Sequence, residues 1–185
     1  MFTQIGTYLV DVVAGFFVYL LLARFYFQLL RVPFRNPIGE FVTAVSGWMV
    51  RPARRVIPGV AGLDLASLVL AWLVQALGLW AVSAIRGVIP DPGMLAALAT
   101  LELVRYSLHI LVFAVIVQAV LSWTNPYTPL APVFDALTRP FLAPIRRFVP
   151  PLGGVDLSPL VLLVALQVLF IPLAHLRLMI DGASL

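Results

Sequence analysis

The chain contains no cysteine and no lysine, and charged residues make up only 11% of it. Without cysteine there is no disulfide framework, no thiolate zinc or iron–sulfur site and no cysteine nucleophile. The signatures of catalysis are absent as well. There is no G-x-S-x-G, no H-E-x-x-H, no Walker loop and no pair of carboxylates at one depth. Ser107 and His109 come nearest to a nucleophile and base, but two residues apart they fall on different faces of a helix. We therefore expect no enzyme, no metal site and no cofactor.

What the chain does have is apolar sequence. Of its 185 residues 62% are hydrophobic, with a mean hydropathy of +1.06. Soluble domains show about 45–50% apolar and about 25% charged residues. A soluble fold of this size would have to expose much of that apolar surface, so the composition indicates an integral membrane protein. The formal net charge of +4 comes from arginine alone. These arginines gather in two loops between apolar runs, a pattern that suits the anionic surface of a membrane and not nucleic acid.

Four apolar runs are long enough to span, at residues 7–30, 65–85, 103–123 and 157–180. Each approaches the ~20 residues a helix needs to cross ~30 Å of hydrocarbon. The first has no positive residue before Arg24, so it reads as a retained span and not as a cleaved leader. Arg31, Arg35, Arg51, Arg54 and Arg55 lie between the first two spans, and Arg139, Arg146 and Arg147 between the last two. The positive-inside bias makes both loops cytoplasmic and leaves both termini outside. Phe34, Trp48, Trp123 and Tyr127 stand where an interfacial aromatic belt would form.

Shifted by 92 residues, the sequence aligns on itself without a gap, residues 37–77 falling on 129–169. Pro37 meets Pro129, Pro52 meets Pro144, Pro58 meets Pro150, and Gly62 meets Gly154. Arg54 and Arg55 meet Arg146 and Arg147, Asp64 meets Asp156, and Gln75 meets Gln167. Apolar matches would follow from composition, but a register of Pro, Arg, Asp and Gln does not. The expected fold is thus an all-α membrane protein with four transmembrane helices as two tandem repeats, residues 1–90 and 91–185. Two spans per unit make the repeats parallel, about an axis along the membrane normal.

Each Arg-rich loop contains an amphipathic stretch. Ile38, Phe41, Val42, Val45 and Met49 share one helix face, as do Leu130, Val133, Phe134, Leu137 and Phe141. Pro37 and Pro129 suit the first helical turn, and Pro52 and Pro144 are expected to end these helices, with Pro140 kinking the second copy. At about three turns they are too short to span and should lie in or dip into the interface.

The loops RPARRVIPGVAGLDLAS and APIRRFVPPLGGVDLSP, together with Ser122-Trp123 and the doubled four-span layout, resemble the YggT (YlmG-like) family of small bacterial and plastid membrane proteins. The first copy departs in having Gly59 for Pro151 and Ala66 for Ser158. The resemblance implies a non-enzymatic protein of the bacterial inner membrane or the thylakoid. It also implies links to cell division and nucleoid organisation, to osmotic or ion homeostasis, or to haem attachment in plastids.

Several side chains stand out against this background. Asp64 and Asp156 each precede a span, where an N-cap is worth roughly 0.5–2 kcal/mol, and each could instead pair with an arginine. Arg54, Arg55, Arg146 and Arg147 are bracketed by Pro52 and Pro58 or by Pro144 and Pro150. Their guanidinium forks suit anionic lipid head groups or an acidic membrane or cytoplasmic protein partner, and separately the chain could form a homo-oligomer. Within the spans, Arg24 could snorkel out or pair with Gln28, and Gln75, Gln167 and Gln118 could hydrogen-bond between repeats. Asp11, Glu102 and Arg105 fall near outer ends and could form a surface network. His109 and His175 lie at depths ~7–8 Å apart, which is poor for a bis-His haem. Two functions follow from these readings. One is a scaffold or assembly factor acting at the cytoplasmic face, and the other a small protein of ion or osmotic balance.

Overall fold

A computed structural model describes residues 1–59, 62–125, 127–149 and 156–182, so that Pro150 of the motif lies outside the described residues. The described residues form six helices: α1 (Phe2–Leu29), α2 (Pro37–Val56), α3 (Leu65–Ile85), α4 (Pro92–Thr124), α5 (Ala131–Phe148) and α6 (Ser158–Gly182). Of these α1, α3, α4 and α6 are long and apolar enough to cross a membrane. Their outward faces carry large apolar side chains such as Leu77, Trp80, Phe113, Val164 and Leu178, as a lipid-facing surface requires.

The helix starts follow local chemistry. Asn36 caps α2 by accepting from Gly39 N at 2.9 Å, with Pro37 in the first turn. Asp91 caps α4 by accepting from Met94 N at 2.9 Å, with Pro92 behind it. That cap corrects the third span. It begins at Pro92 and runs 33 residues, about 50 Å, because nothing in the Ala- and Leu-rich stretch after Pro92 interrupts it. The connection from α3 is correspondingly short.

The prolines expected to stop the loop helices do not. Pro52 lies inside α2 and Pro144 inside α5, which also contains Pro140, the proline expected only to kink it. All three are exposed, on the solvent-facing side, where the clash of the ring with the preceding turn is relieved by a bend that curves the helix toward the bundle. The helices end only at Val56 and Phe148, which places each Arg pair in the last helical turn. There a cation complements the negative helix end. Pro129 likewise precedes the second loop helix, which starts at Ala131.

Direction can be read from side-chain contacts. Gly6 faces Ile85, Ala14 faces Gly78 and Gln28 reaches Gly62, so α1 and α3 are antiparallel. Gly15 and Tyr19 meet Tyr106, and Phe27 shares a core cluster with Ala114, so α1 and α4 run parallel. The two halves of the chain therefore enter the bundle the same way round. The loop helices both sit at one end, called here the Arg-rich end. Each rests on its own pair of long helices and buries Val42 and Val50 or Val133, Phe134, Leu137 and Leu142. Phe41 and Trp48 on α2, and Phe141 on α5, face outward.

Close approach of α1 and α3 depends on Gly78, where an added Cβ would stand 2.9 Å from the Cβ of Ala14. Gly78→Val should cost about 1–3 kcal/mol in denaturant unfolding of the nanodisc-embedded protein. Gly47→Ala, whose nearest neighbour would be Arg51 Nε at 3.8 Å, should instead stabilise by about 0.5–1 kcal/mol, since alanine favours a helix interior over glycine.

Candidate functional site

At the Arg-rich end one carboxylate ties three helices together. Asp64 caps α3, accepting from Ser67 N at 3.3 Å and Ser67 Oγ at 2.7 Å. It also accepts from Arg54 Nη2 at 2.6 Å and Arg54 Nε at 3.3 Å, a two-pronged contact from α2. Arg24 Nε approaches from α1 at 3.4 Å, and Arg24 Nη1 donates to Ser46 Oγ at 3.1 Å. Around this core Arg54 donates to Gln28 Oε1 at 3.2 Å, and Gln28 Nε2 donates to Gly62 O at 2.9 Å. Asp64 is only 2% exposed. The cap and the ion pair, read in the sequence as alternatives, coexist on one carboxylate.

Arg24 does not snorkel. It is 8% exposed and lies about one and a half turns inside α1, where Asp64 and Ser46 meet its guanidinium. Gln28 pairs with Arg54 and not with Arg24.

The second repeat rebuilds the same closure in thinner form. Arg146 Nε donates to Asp156 at 2.9 Å, and Ser158 N donates to the same carboxylate at 2.9 Å. The ten-residue Arg-to-Asp spacing is identical in both copies. The cap moves one residue because Ser158 replaces Ala66 and Pro159 replaces Ser67. At the positions of Arg24 and Gln28, however, α4 carries Ile116 and Val120. Asp156 therefore meets a single arginine and is far less buried, its side chain 30% exposed against 1% for Asp64.

Burial raises the Asp64 carboxyl, but hydrogen bonds from Arg54 and Ser67 more than offset it and hold the group below the ordinary carboxylate range. Asp156 is depressed in the same way, burial being outweighed by Ser158 and Arg146. A depressed carboxyl adds stability that is complete above its unfolded pKa and disappears as pH falls through the lower folded value. Loop closure should thus be flat with pH near neutrality and fail below about pH 4. Hydrogen exchange of α2 amides should show this, and Asp64→Asn should abolish the dependence.

The second arginine of each pair has another environment. Arg55 and Arg147 are exposed, with no ion pair among the described residues. Val56 and Phe148 beside them are more than four-fifths exposed. Arg31, Arg35 and Arg51 are exposed as well, and Arg139 is held by Asp135 at 2.7 Å in an exposed helical pair. Each pair thus divides its labour, with one arginine locking the loop and the other facing outward.

The remaining polar groups are placed differently from expectation. Glu102 is buried and pairs with Arg105 at 3.4 Å and with Arg177, a residue of α6 that periodicity did not single out. Asp11 lines the same cavity as this cluster but joins no ion pair among the described residues. Gln75, Gln118 and Gln167 make no bond across repeats among the described residues. Gln75 and Gln167 line separate cavities, and Gln118 Oε1 is buried without a partner. His109 stacks on Phe170 with ring centroids 4.8 Å apart, while His175 is exposed. Ser107 donates to Leu103 O at 2.7 Å.

Between the two polar levels the bundle is dry. Val18, Leu21, Leu22 and Ala71 are each at most 1% exposed. Because Ala14 faces Gly78, Gln75 lies level with residue 17, so this layer separates it from Arg24 by about 10 Å.

No solved structure matches the chain. The family model described as CCB3/YggT matches residues 3–85 and again residues 97–176. An uncharacterised protein of Pseudomonas aeruginosa is 34% identical over 88% of this chain and 84% of its own length. The uncharacterised protein YggT of Escherichia coli K12 is 33% identical over 88% of this chain and 86% of its own. A third relative, from Vibrio alginolyticus, is 31% identical over 87% and 89%. Matched twice along its length and by relatives over most of theirs, this chain of four membrane-spanning candidates belongs to the CCB3/YggT family.

Proposed function

We propose that the protein is a non-enzymatic scaffold or assembly factor of the bacterial inner membrane, working at the cytoplasmic face in cell division or the biogenesis of a membrane complex. The positive-inside bias sets the Arg-rich end in the cytoplasm and both termini outside. The observation that carries the reading is the repeated division of labour within each Arg pair. Arg54 and Arg146 are spent on holding α2 and α5 to the bundle. Arg55 and Arg147 are left exposed, beside outward apolar side chains, on the helices so held. A fixed amphipathic helix with outward guanidiniums fits a surface of anionic lipid heads or an acidic partner.

Each exposed arginine near an anionic leaflet is worth ~1 kcal/mol. Arg55→Ala with Arg147→Ala should therefore weaken docking by about 2 kcal/mol, roughly thirtyfold, with insertion and abundance unchanged. Titration of nanodisc-held protein with phosphatidylglycerol vesicles reads the lipid contribution, and recovery of co-purifying membrane proteins reads the protein contribution. Lysine at both positions restores a generic electrostatic role but not a bidentate one. Wild-type docking by the double Ala variant in both assays would contradict the proposal.

A second reading, transport linked to ion or osmotic balance, draws on the cavities beside Gln75 and Gln167. The dry layer of Val18, Leu21, Leu22 and Ala71 weighs against it, since conduction needs a continuous polar lining.

A further inference from the structure

At the end opposite the Arg-rich loops, a cavity of about 550 Å³ opens between α1, α3, α4 and α6. Its charged lining is Asp11 from α1, Glu102 and Arg105 from α4, and Arg177 from α6. Glu102 holds Arg105 only at 3.4 Å, and the side chain of Arg105 is 45% exposed. At the floor, Gln75 is 7% exposed and its Oε1 has no hydrogen-bond partner. With Ala14 facing Gly78, that floor lies about 9 Å below Asp11.

We propose that this cavity binds a zwitterion, a ligand that carries an ammonium and a carboxylate or phosphate and is neutral overall. Among the described residues Asp11 joins no ion pair and Arg105 is held only at 3.4 Å, so the cavity presents one carboxylate and one guanidinium to a guest, and a singly charged ion would meet only one of them. A dipolar guest meets both. Its anionic oxygens suit the planar donors of Arg105, and its cation suits Asp11 and the faces of the tyrosines. Tyr106, whose ring meets Tyr19 edge-on at 4.7 Å, supplies such a face beside Asp11. A donor on the guest also satisfies the orphaned oxygen of Gln75, which otherwise bears a desolvation penalty.

This chemistry has two sources, a free zwitterionic solute or the head group of a zwitterionic phospholipid. The test uses the full chain in nanodiscs of phosphatidylglycerol, a lipid without an amine. Calorimetry compares glycine, glycerophosphoethanolamine, acetate and ethylammonium. The expected result is saturable binding of a zwitterion, about tenfold or more tighter than either singly charged ion. Binding of glycine identifies the solute source. Binding of glycerophosphoethanolamine, with a raised unfolding midpoint when phosphatidylethanolamine is added to the disc, identifies the lipid source.

Arg105→Gln removes the group that meets the anion and should shift preference from the zwitterion to ethylammonium, while Asp11→Asn should shift it to acetate. A merely structural role would move neither preference. Gln75→Leu should weaken zwitterion binding without altering charge preference, and it stands in if a charge variant fails to fold. Absence of zwitterion binding to the wild type overturns the proposal. So does an unchanged charge preference in a folded Arg105→Gln or Asp11→Asn protein, or unchanged zwitterion affinity in Gln75→Leu.

Discussion

Asp64→Asn is expected to destabilise the folded chain by about 3–5 kcal/mol, because it leaves a buried guanidinium without its counter-charge. Arg24 is the group at stake. Its side chain is 10% exposed, and its remaining side-chain partner would be the neutral hydroxyl of Ser46. The cap itself should survive, since asparagine caps a helix about as well as aspartate. Asp156→Asn makes the same chemical change in the other repeat, yet should cost only about 1 kcal/mol. There the partner arginine is half-exposed and Ile116 stands where Arg24 would be. Pairing Asp64→Asn with Arg24→Leu should recover much of the loss, because the second change removes the stranded charge. Denaturant unfolding of the four proteins in one nanodisc composition checks the series. Equal losses at Asp64 and Asp156 would show that the buried network is not what distinguishes the repeats.

The second large effect is expected in the dry layer. Leu21 and Leu22 are at most 1% exposed and pack with Val18, Val50, Ala71 and Leu103 in one cluster. Leu21→Ala should cost about 2–5 kcal/mol, the transfer term of the lost methyl groups plus the cavity left behind. It should also change what the bundle conducts. The wild-type layer places the buried apolar side chains of Val18, Leu21, Leu22 and Ala71 between Gln75 and the Arg24 network, so proteoliposomes should hold an ion gradient as empty liposomes do. Leu21→Ser with Leu22→Ala brings a hydroxyl and free volume into that layer, and a slow leak should appear. A wild-type leak equal to that of the variant would move the account to transport.

Much of this fold was legible in the residues, and the misses have physical causes. The second span was placed at its exact ends because Asp64 and the polar stretch after Ile85 punctuate an uninterrupted apolar run. The third was placed too short because Glu102 and Arg105 look like an end when hydropathy is averaged. In the bundle these two pair with each other and with Arg177 on another helix, a partner that no local periodicity reveals. Pro52 and Pro144 misled for a similar reason, since a proline breaks a helix only where the preceding turn cannot bend away.

The functional groups divide along the same line. The repeat register picked out the arginine pairs and both aspartates before any geometry was known. It could not say that one arginine of each pair reaches the aspartate, because that depends on a loop closing over ten residues onto a helix cap. Nor could it foresee that Arg24 joins the first closure and has no counterpart in the second, although the Arg24-to-Ile116 difference was the signal that carried it.

The claim that the Arg-rich end is the working surface is tested most directly by single cysteines in this cysteine-free chain. Val56→Cys and Phe148→Cys place a thiol beside Arg55 and Arg147, and Ile89→Cys places one at the opposite end, where the native side chain is 95% exposed. Crosslinking in intact membranes with a short thiol-directed reagent should give the same discrete protein adduct from Val56→Cys and Phe148→Cys. That adduct should be lost when Arg55 and Arg147 are changed to Ala, and Ile89→Cys should not give it. Adducts from Ile89→Cys alone, or adducts at the Arg-rich end that survive removal of both arginines, would contradict the account.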